Sequence, residues 1–119
     1  MAGTKFTVGP AYVANAAADI YTPPASTMYR LIYHIRCVNK AAATPTVSLY
    51  RGLTGGSLAG TEIITAAFAF TTTGTAGAEK DWYWPNGLLM LSTHFLSGVA
   101  SAASQVVIIV TGETLVMPA

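Results

Sequence analysis

Met28-Tyr29-Arg30-Leu31-Ile32-Tyr33-His34-Ile35-Arg36-Cys37-Val38-Asn39 is the stretch on which the fold turns. Tyr29, Leu31, Tyr33, Ile35 and Cys37 fall on one parity; Met28, Arg30, Ile32, His34, Arg36 and Val38 fall on the other. A strand has a side-chain period of two, so the first set is expected to face a core. The second set mixes charged and apolar groups, as a partly covered face does. The β-branched and aromatic content speaks against an amphipathic helix. Asn39-Lys40-Ala41-Ala42-Ala43 then reads as a turn, and Thr44-Pro45 leads into a second strand, Thr46 to Arg51. Val47 and Leu49 share one of its faces; Thr46, Ser48 and Tyr50 share the other. The two strands are expected to pair as an antiparallel hairpin.

Upstream, Ile20-Tyr21-Thr22 is a short strand closed by Pro23-Pro24. Residues 1–14 read as an arm or an edge strand, bent at Gly9-Pro10, because proline cannot donate to a ladder. Downstream, Gly52, Gly55, Gly56 and Gly60 mark a loop. Glu62-Ile63-Ile64 and Ala67-Phe68-Ala69-Phe70 are short strand candidates, with a helical turn left open between them. Thr71 to Ala78 is a loop, Lys80 to Trp84 is extended, and Pro85-Asn86-Gly87 is a turn. Leu88 to Leu91 and His94 to Leu96 are two short strands or one bent strand, and Gly98 to Ser104 is a small-residue loop. Val106-Val107-Ile108-Ile109-Val110 is apolar on both faces, as a central strand covered on both sides is. Residues 114–119 read as a short tail. About eight short strands between turn clusters predict an all-β chain, a single antiparallel β-sandwich or a barrel. At 119 residues, with no repeat and no shift in composition, one domain spanning 1–119 is expected.

The composition is poor in charge. Of the residues, 52% are hydrophobic and 9% charged, against about 25% charged in an ordinary soluble domain. The net charge of +1 gives no electrostatic case for nucleic acid or an anionic membrane as partner. Few charges leave a free monomer poorly guarded against self-association. Two readings follow: surfaces covered by neighbours in an assembly, where Lys, Glu and Asp are depleted, or a neutral coat of Ser and Thr. Cys37 is the one cysteine, so no intrachain disulfide can form, and its apolar neighbours make it a small buried hydrophobe. The N-terminal residues lack the continuous apolar stretch of a secretory signal. The uncharged run from Trp82 to Gly112 is too broken by Pro85, Asn86, Gly87, Gly98 and serines to be a membrane helix.

Catalytic patterns are missing. Glu79 and Asp81 share a strand face but flank Lys80 at a strand end, which reads as solvated charge rather than a paired-carboxylate site. His34 and His94 carry no triad motif. One cysteine and two separated histidines give no metal-ligand spacing, and no glycine cluster leads into a phosphate-binding helix. No catalytic residue, cofactor or metal is expected. Trp82-Tyr83-Trp84 is the cluster open to a binding role: Trp82 and Trp84 share a face and Tyr83 points away. Core packing, a protein contact and sugar stacking remain open for it.

Several of these features recur together in a known family. Asp19-Ile20-Tyr21-Thr22 precedes a Pro/Ser-rich turn. A long strand runs into Asn39 and an Ala/Thr turn, followed by Thr46-Val47-Ser48-Leu49-Tyr50. Trp82-Tyr83-Trp84-Pro85-Asn86-Gly87-Leu88 comes later, and Val106 to Gly112-Glu113 closes the series. In this order, from Asn15 to Glu113, the chain resembles small tailed-phage virion proteins with a jelly-roll-like β-sandwich. The resemblance implies a non-enzymatic virion component and carries no catalytic residues. Within it, a capsid decoration (cement) protein on the outer shell is the leading expectation, with the major capsid protein or another virion protein as partner. A homo-oligomer is expected, and a trimer is the order that capsid threefold positions suggest. A tail, neck or fibre component and a host-glycan-binding module are the alternatives. The site expected in the virion is an interface, with Arg30, His34, Arg36, Tyr50, Trp82, Tyr83 and Trp84 as candidate contacts.

Overall fold

The computed structural model describes residues 3–21, 27–52 and 62–116. They form eight strands: β1 (Thr4–Tyr12), β2 (Ala18–Tyr21), β3 (Met28–Asn39), β4 (Thr46–Gly52), β5 (Glu62–Ala69), β6 (Glu79–Met90), β7 (Phe95–Ala100) and β8 (Val106–Val116). One sheet is ordered β1-β8-β3-β6 and the other β2-β7-β4-β5, and every pairing is antiparallel.

The pairings nest. β4 pairs with β5, β3 with β6, β2 with β7 and β1 with β8, as in one long hairpin folded back on itself. The contacts β3–β8 and β4–β7 then close each sheet. This is the eight-stranded double-sheet jelly roll. The expected antiparallel β-sandwich of about eight strands is therefore the fold.

Inner faces of both sheets supply the core. Val47 and Leu49 of β4 meet Ile32, Ile35 and Cys37 of β3 and the alternating Val106, Ile108 and Val110 of β8, all essentially inaccessible to solvent. Such alternation is the signature of sheets covered on one face. Burial pushes the Cys37 thiol up to about 12, with the nearby Asp81 charge acting in the same direction. The thiolate that would make it reactive is thereby suppressed.

Five local expectations are corrected. First, β3 and β4 do not form a hairpin: they lie in different sheets. Asn39 makes the corner between them. It is fully buried, its amide donates to the Ala43 and Thr71 carbonyls at 2.8 Å each, and its Oδ1 accepts from the Ala41 N–H at 3.0 Å. Second, Pro85-Asn86-Gly87 does not end a strand. β6 runs on to Met90, and residues 84–87 bulge between the Tyr83–His34 and Leu88–Ile32 pairs. β6 is an edge strand, where proline costs no ladder bond, and Gly87 supplies the positive φ of 85° that the bulge needs.

Third, the two candidates before Phe70 are one strand, β5. It shifts register twice against β4, and Ser48 Oγ accepts the N–H of Ala67, which has a φ of 48°. Fourth, β7 extends through Gly98 to Ala100, into the stretch read as loop. Fifth, residues up to Val116 continue β8 rather than forming a tail. The expected edge strand is β1, whose register against β8 shifts between Val8 and Ala11 at the cis Gly9-Pro10 bond. Pro23-Pro24, the loop glycines Gly55, Gly56 and Gly60, and the last three residues lie outside the described residues.

Candidate functional site

The parity of β3 changes once, and that change builds the site. Ile32 stands opposite Gly112 of β8 while His34 stands opposite Thr111, so Tyr33 is an extra residue, a β-bulge. Upstream of it Met28, Arg30 and Ile32 share the inner side; downstream Ile35, Cys37 and Asn39 do. Tyr29, Leu31 and Tyr33, expected inward, are only half-buried. Arg30, expected beside His34 and Arg36, is on the opposite face. Its guanidinium carbon lies 4.7 Å from the Phe6 ring centre and 5.1 Å from that of Tyr21, and its Nε donates to Thr114 Oγ1 at 2.9 Å. Burial raises the Tyr21 phenol, against the opposing pull of Arg30, and keeps it neutral.

His34 and Arg36 remain together on the outer face of the β1-β8-β3-β6 sheet, where β6 supplies their partners. Arg36 is directly opposite Asp81, and His34 directly opposite Tyr83. Asp81 Oδ1 accepts from both neighbours: His34 Nε2 at 2.6 Å and Arg36 Nη1 at 3.1 Å. Arg36 Nη1 reaches Asp81 Oδ2 at 2.9 Å, and Nη2 reaches Glu79 Oε2 at 2.8 Å. The Tyr83 ring stacks on His34, 4.5 Å between centres and 10° from parallel. Opposed and diagonal neighbours on adjacent strands lie within this reach. Burial alone would raise the Asp81 carboxyl, but hydrogen bonds from His34 and Arg36, with their charges, outweigh it and hold it below the ordinary carboxylate value. The same bonds, from Asp81 and then Glu79, push the Arg36 guanidinium further up.

Around this ladder the face is apolar and aromatic. Tyr83 is 68% exposed, Tyr12 54% and Leu89 42%, so large rings and side chains stand in solvent beside paired charges. Beyond the bulge, a depression of about 320 Å³ lies over Thr111 and Gly112, walled by Lys5, Thr7, Tyr33 and Glu113. Burial and the adjacent Glu113 carboxylate both raise the Tyr33 phenol.

The remaining candidates lie elsewhere. Trp82 and Trp84 pack against the core, Trp82 edge-on to Phe68 at 5.7 Å, and only Tyr83 of the trio faces out. Tyr50 lies on β4 in the other sheet, on the parity opposite the buried Val47 and Leu49. The reading of Glu79 and Asp81 as simple solvated charge missed their partners. The signal for them was the alternation Glu79, Asp81, Tyr83, which matches Arg36 and His34 once β3 and β6 pair. Among the described residues, no group of three His, Cys, Asp or Glu side chains is placed to hold a metal ion, and no helix is long and apolar enough to cross a membrane.

No protein-family model matches the chain, and no curated protein does. Solved structures that match the chain include two crystal structures of a pentameric capsid protein isolated from metagenomic phage sequences. Each has a TM-score of 0.38 and 15% identity over 92% of this chain, and the match covers 62% and 60% of those chains. The chain thus spans about three fifths of the length of those capsid chains. A structure of infectious bursal disease virus Gt strain matches over 96% of this chain and 30% of its own, with a TM-score of 0.34 and 14% identity. Superpositions this loose and this distant in sequence transfer no residue, partner or role to this chain.

Proposed function

We propose that this chain is a non-enzymatic structural protein of a tailed-phage virion, and within that class a decoration protein that seats on the outer capsid surface. The observation that carries the reading is the outer face of the β1-β8-β3-β6 sheet. Around Tyr83 its charges are paired within the molecule by the His34–Asp81–Arg36–Glu79 ladder, with Lys5 and Glu113 further along the sheet, while Tyr83, Tyr12 and Leu89 stand exposed. Interface centres have this character: aromatics and arginine enriched, free Lys, Glu and Asp depleted. The family resemblance of the ordered motifs, and the jelly roll they were expected to form, support the same class.

On this reading the ladder orients rather than attracts. Half-exposed ion pairs contribute little to stability. These hold the Tyr83 ring and the Arg36 fork in one geometry, ready to meet a capsid protein surface. Copies bridging neighbouring subunits stabilise the shell by mass action, since they bind the assembled state. A homo-oligomer of the decoration protein, set on a capsid symmetry axis, fits this role.

The reading is tested on particles. Attachment through an aromatic patch whose central charges are paired internally is expected to withstand salt, because screening acts on exposed charges separated by about 8 Å or more at physiological ionic strength. Copies per particle should change little between 50 mM and 1 M NaCl, and Tyr83→Ser should strip them. Loss of most copies at a few hundred millimolar salt sinks the mechanism. A reconstruction showing density on the tail or neck instead of the shell selects the alternative component. A glycan array with Trp82→Ala and Trp84→Ala controls tests the sugar-binding alternative, in which these half-buried indoles would have to be reached from solvent.

A further inference from the structure

Among the described residues the two sheets have four edges, and three of them are guarded along their length. β6 carries Glu79, Lys80 and Asp81 and is broken by the bulge that holds Pro85. β5 shifts register twice against its neighbour. β2 has four residues, a register shift and Asp19. Charges, prolines, bulges and shortness keep an edge from adding another strand. β1 differs. From Thr4 to Val8 it pairs with β8 in unbroken register, β8 is its one neighbour in the sheet, and Lys5 is its single charge. Thr4, Lys5 and Thr7 are exposed.

The ladder tells which backbone groups are open. The Val13 N–H donates to the Val106 carbonyl at 2.8 Å. Backbone groups alternate in direction along a strand, so Val106, Ile108, Val110, Gly112 and Thr114 turn theirs toward β1. The residues opposite the last three are Val8, Phe6 and Thr4. Lys5 and Thr7 therefore point their N–H and C=O groups away from the sheet.

We propose that β1 is a seam at which a second copy of this chain adds its own β1, antiparallel, about a two-fold axis at Phe6. Lys5 then lies opposite Thr7 of the second copy, and Thr7 opposite its Lys5, and the open groups close as two reciprocal hydrogen-bonded pairs. Phe6 meets Phe6 of the second copy in the close, non-hydrogen-bonded pair between them. That ring already packs against the core, so the contact extends the core across the seam. The neighbouring registers that keep the same groups facing are worse. One sets Lys5 against Lys5, a like charge directly opposed. The other sets Lys5 against Gly9, whose φ of 87° and register break against β8 take it out of the regular ladder. Self-complementarity in a single register is what a two-fold contact requires. The seam does not depend on the virion reading, because the open edge belongs to the fold itself.

Sedimentation velocity of the full chain across a wide concentration range tests it. The wild type should pass from monomer to dimer as concentration rises. Thr7→Pro removes an outward N–H and no bond to β8, and should weaken self-association at least tenfold with the circular dichroism spectrum unchanged. Thr7→Lys, which opposes like charges across the seam, should do the same and serves if the proline variant does not fold. A chain monomeric at every concentration, or an oligomer of any order that both variants leave intact, overturns the proposal.

Discussion

At the scale of the residue, Asn39 is a fully buried amide at the corner between the sheets. A buried amide in place of an apolar side chain is costly unless every polar atom finds a partner. Here its three hydrogen bonds tie the β3 end to the corner and to the Thr71 carbonyl. Asn39→Ala leaves those backbone groups unmatched and is expected to destabilise by roughly 2–4 kcal/mol, read as a lowered urea midpoint with unchanged slope. Asp81 makes a pH-dependent contribution of a different kind. Its carboxyl is held below the ordinary value in the folded chain, so its stabilisation is present above the unfolded value near 3.9 and is lost as pH falls through the lower folded value. Thermal unfolding of Asp81→Asn between pH 5 and pH 2 should therefore show a flatter acid decline than wild type. An equally steep decline would move the effect to another carboxylate.

Among the elements, β3 shows how far sequence reaches. Its strand character was legible, because twelve residues alternate with β-branched and aromatic side chains. Its facing was not, because one inserted residue reverses parity, and Tyr29, Leu31 and Tyr33 are as apolar as a core set. Bulges leave no mark on hydropathy; they show in the register against β8. Gly112 sits at that register change, and a Cβ there would run into the Leu31 carbonyl oxygen and the Phe6 ring. Gly112→Ala is expected to cost about 2–3 kcal/mol by overpacking, measured in equilibrium unfolding. β6 misled in the opposite sense: Pro85-Asn86-Gly87 is a good turn signal, and it does turn the backbone, but inside a strand that then resumes. The site followed from the same pairing. His34 and Arg36 were found from alternation, whereas their acidic partners needed β6 to be laid beside β3.

For the whole molecule, the sandwich was legible in strand count and turn spacing, and the pairing of strands was not. Adjacent strands in sequence are the natural first guess for a hairpin, yet the rolled topology sends β3 and β4 to different sheets and brings β1 beside β8 from the far end of the chain. Each such closure loses chain entropy before any contact rewards it. Folding should therefore be slow for this size, on the order of milliseconds to seconds, as in other all-β domains of non-local pairing. Stopped-flow refolding that finishes within tens of microseconds would contradict the nested order of pairing.

The register that sets Thr4 opposite Thr114 has a practical corollary. The first and last strands leave the sheet at one place, so a linker of about four to six residues, an ordinary connection length, can join the end of β8 to the start of β1. New termini opened in the exposed Thr72–Gly77 loop would then give a circular permutant that keeps every strand pair. Cargo joined ahead of β1 or after β8 leaves the sheet at that one place, and cargo fused in the permutant emerges from the loop end of the roll.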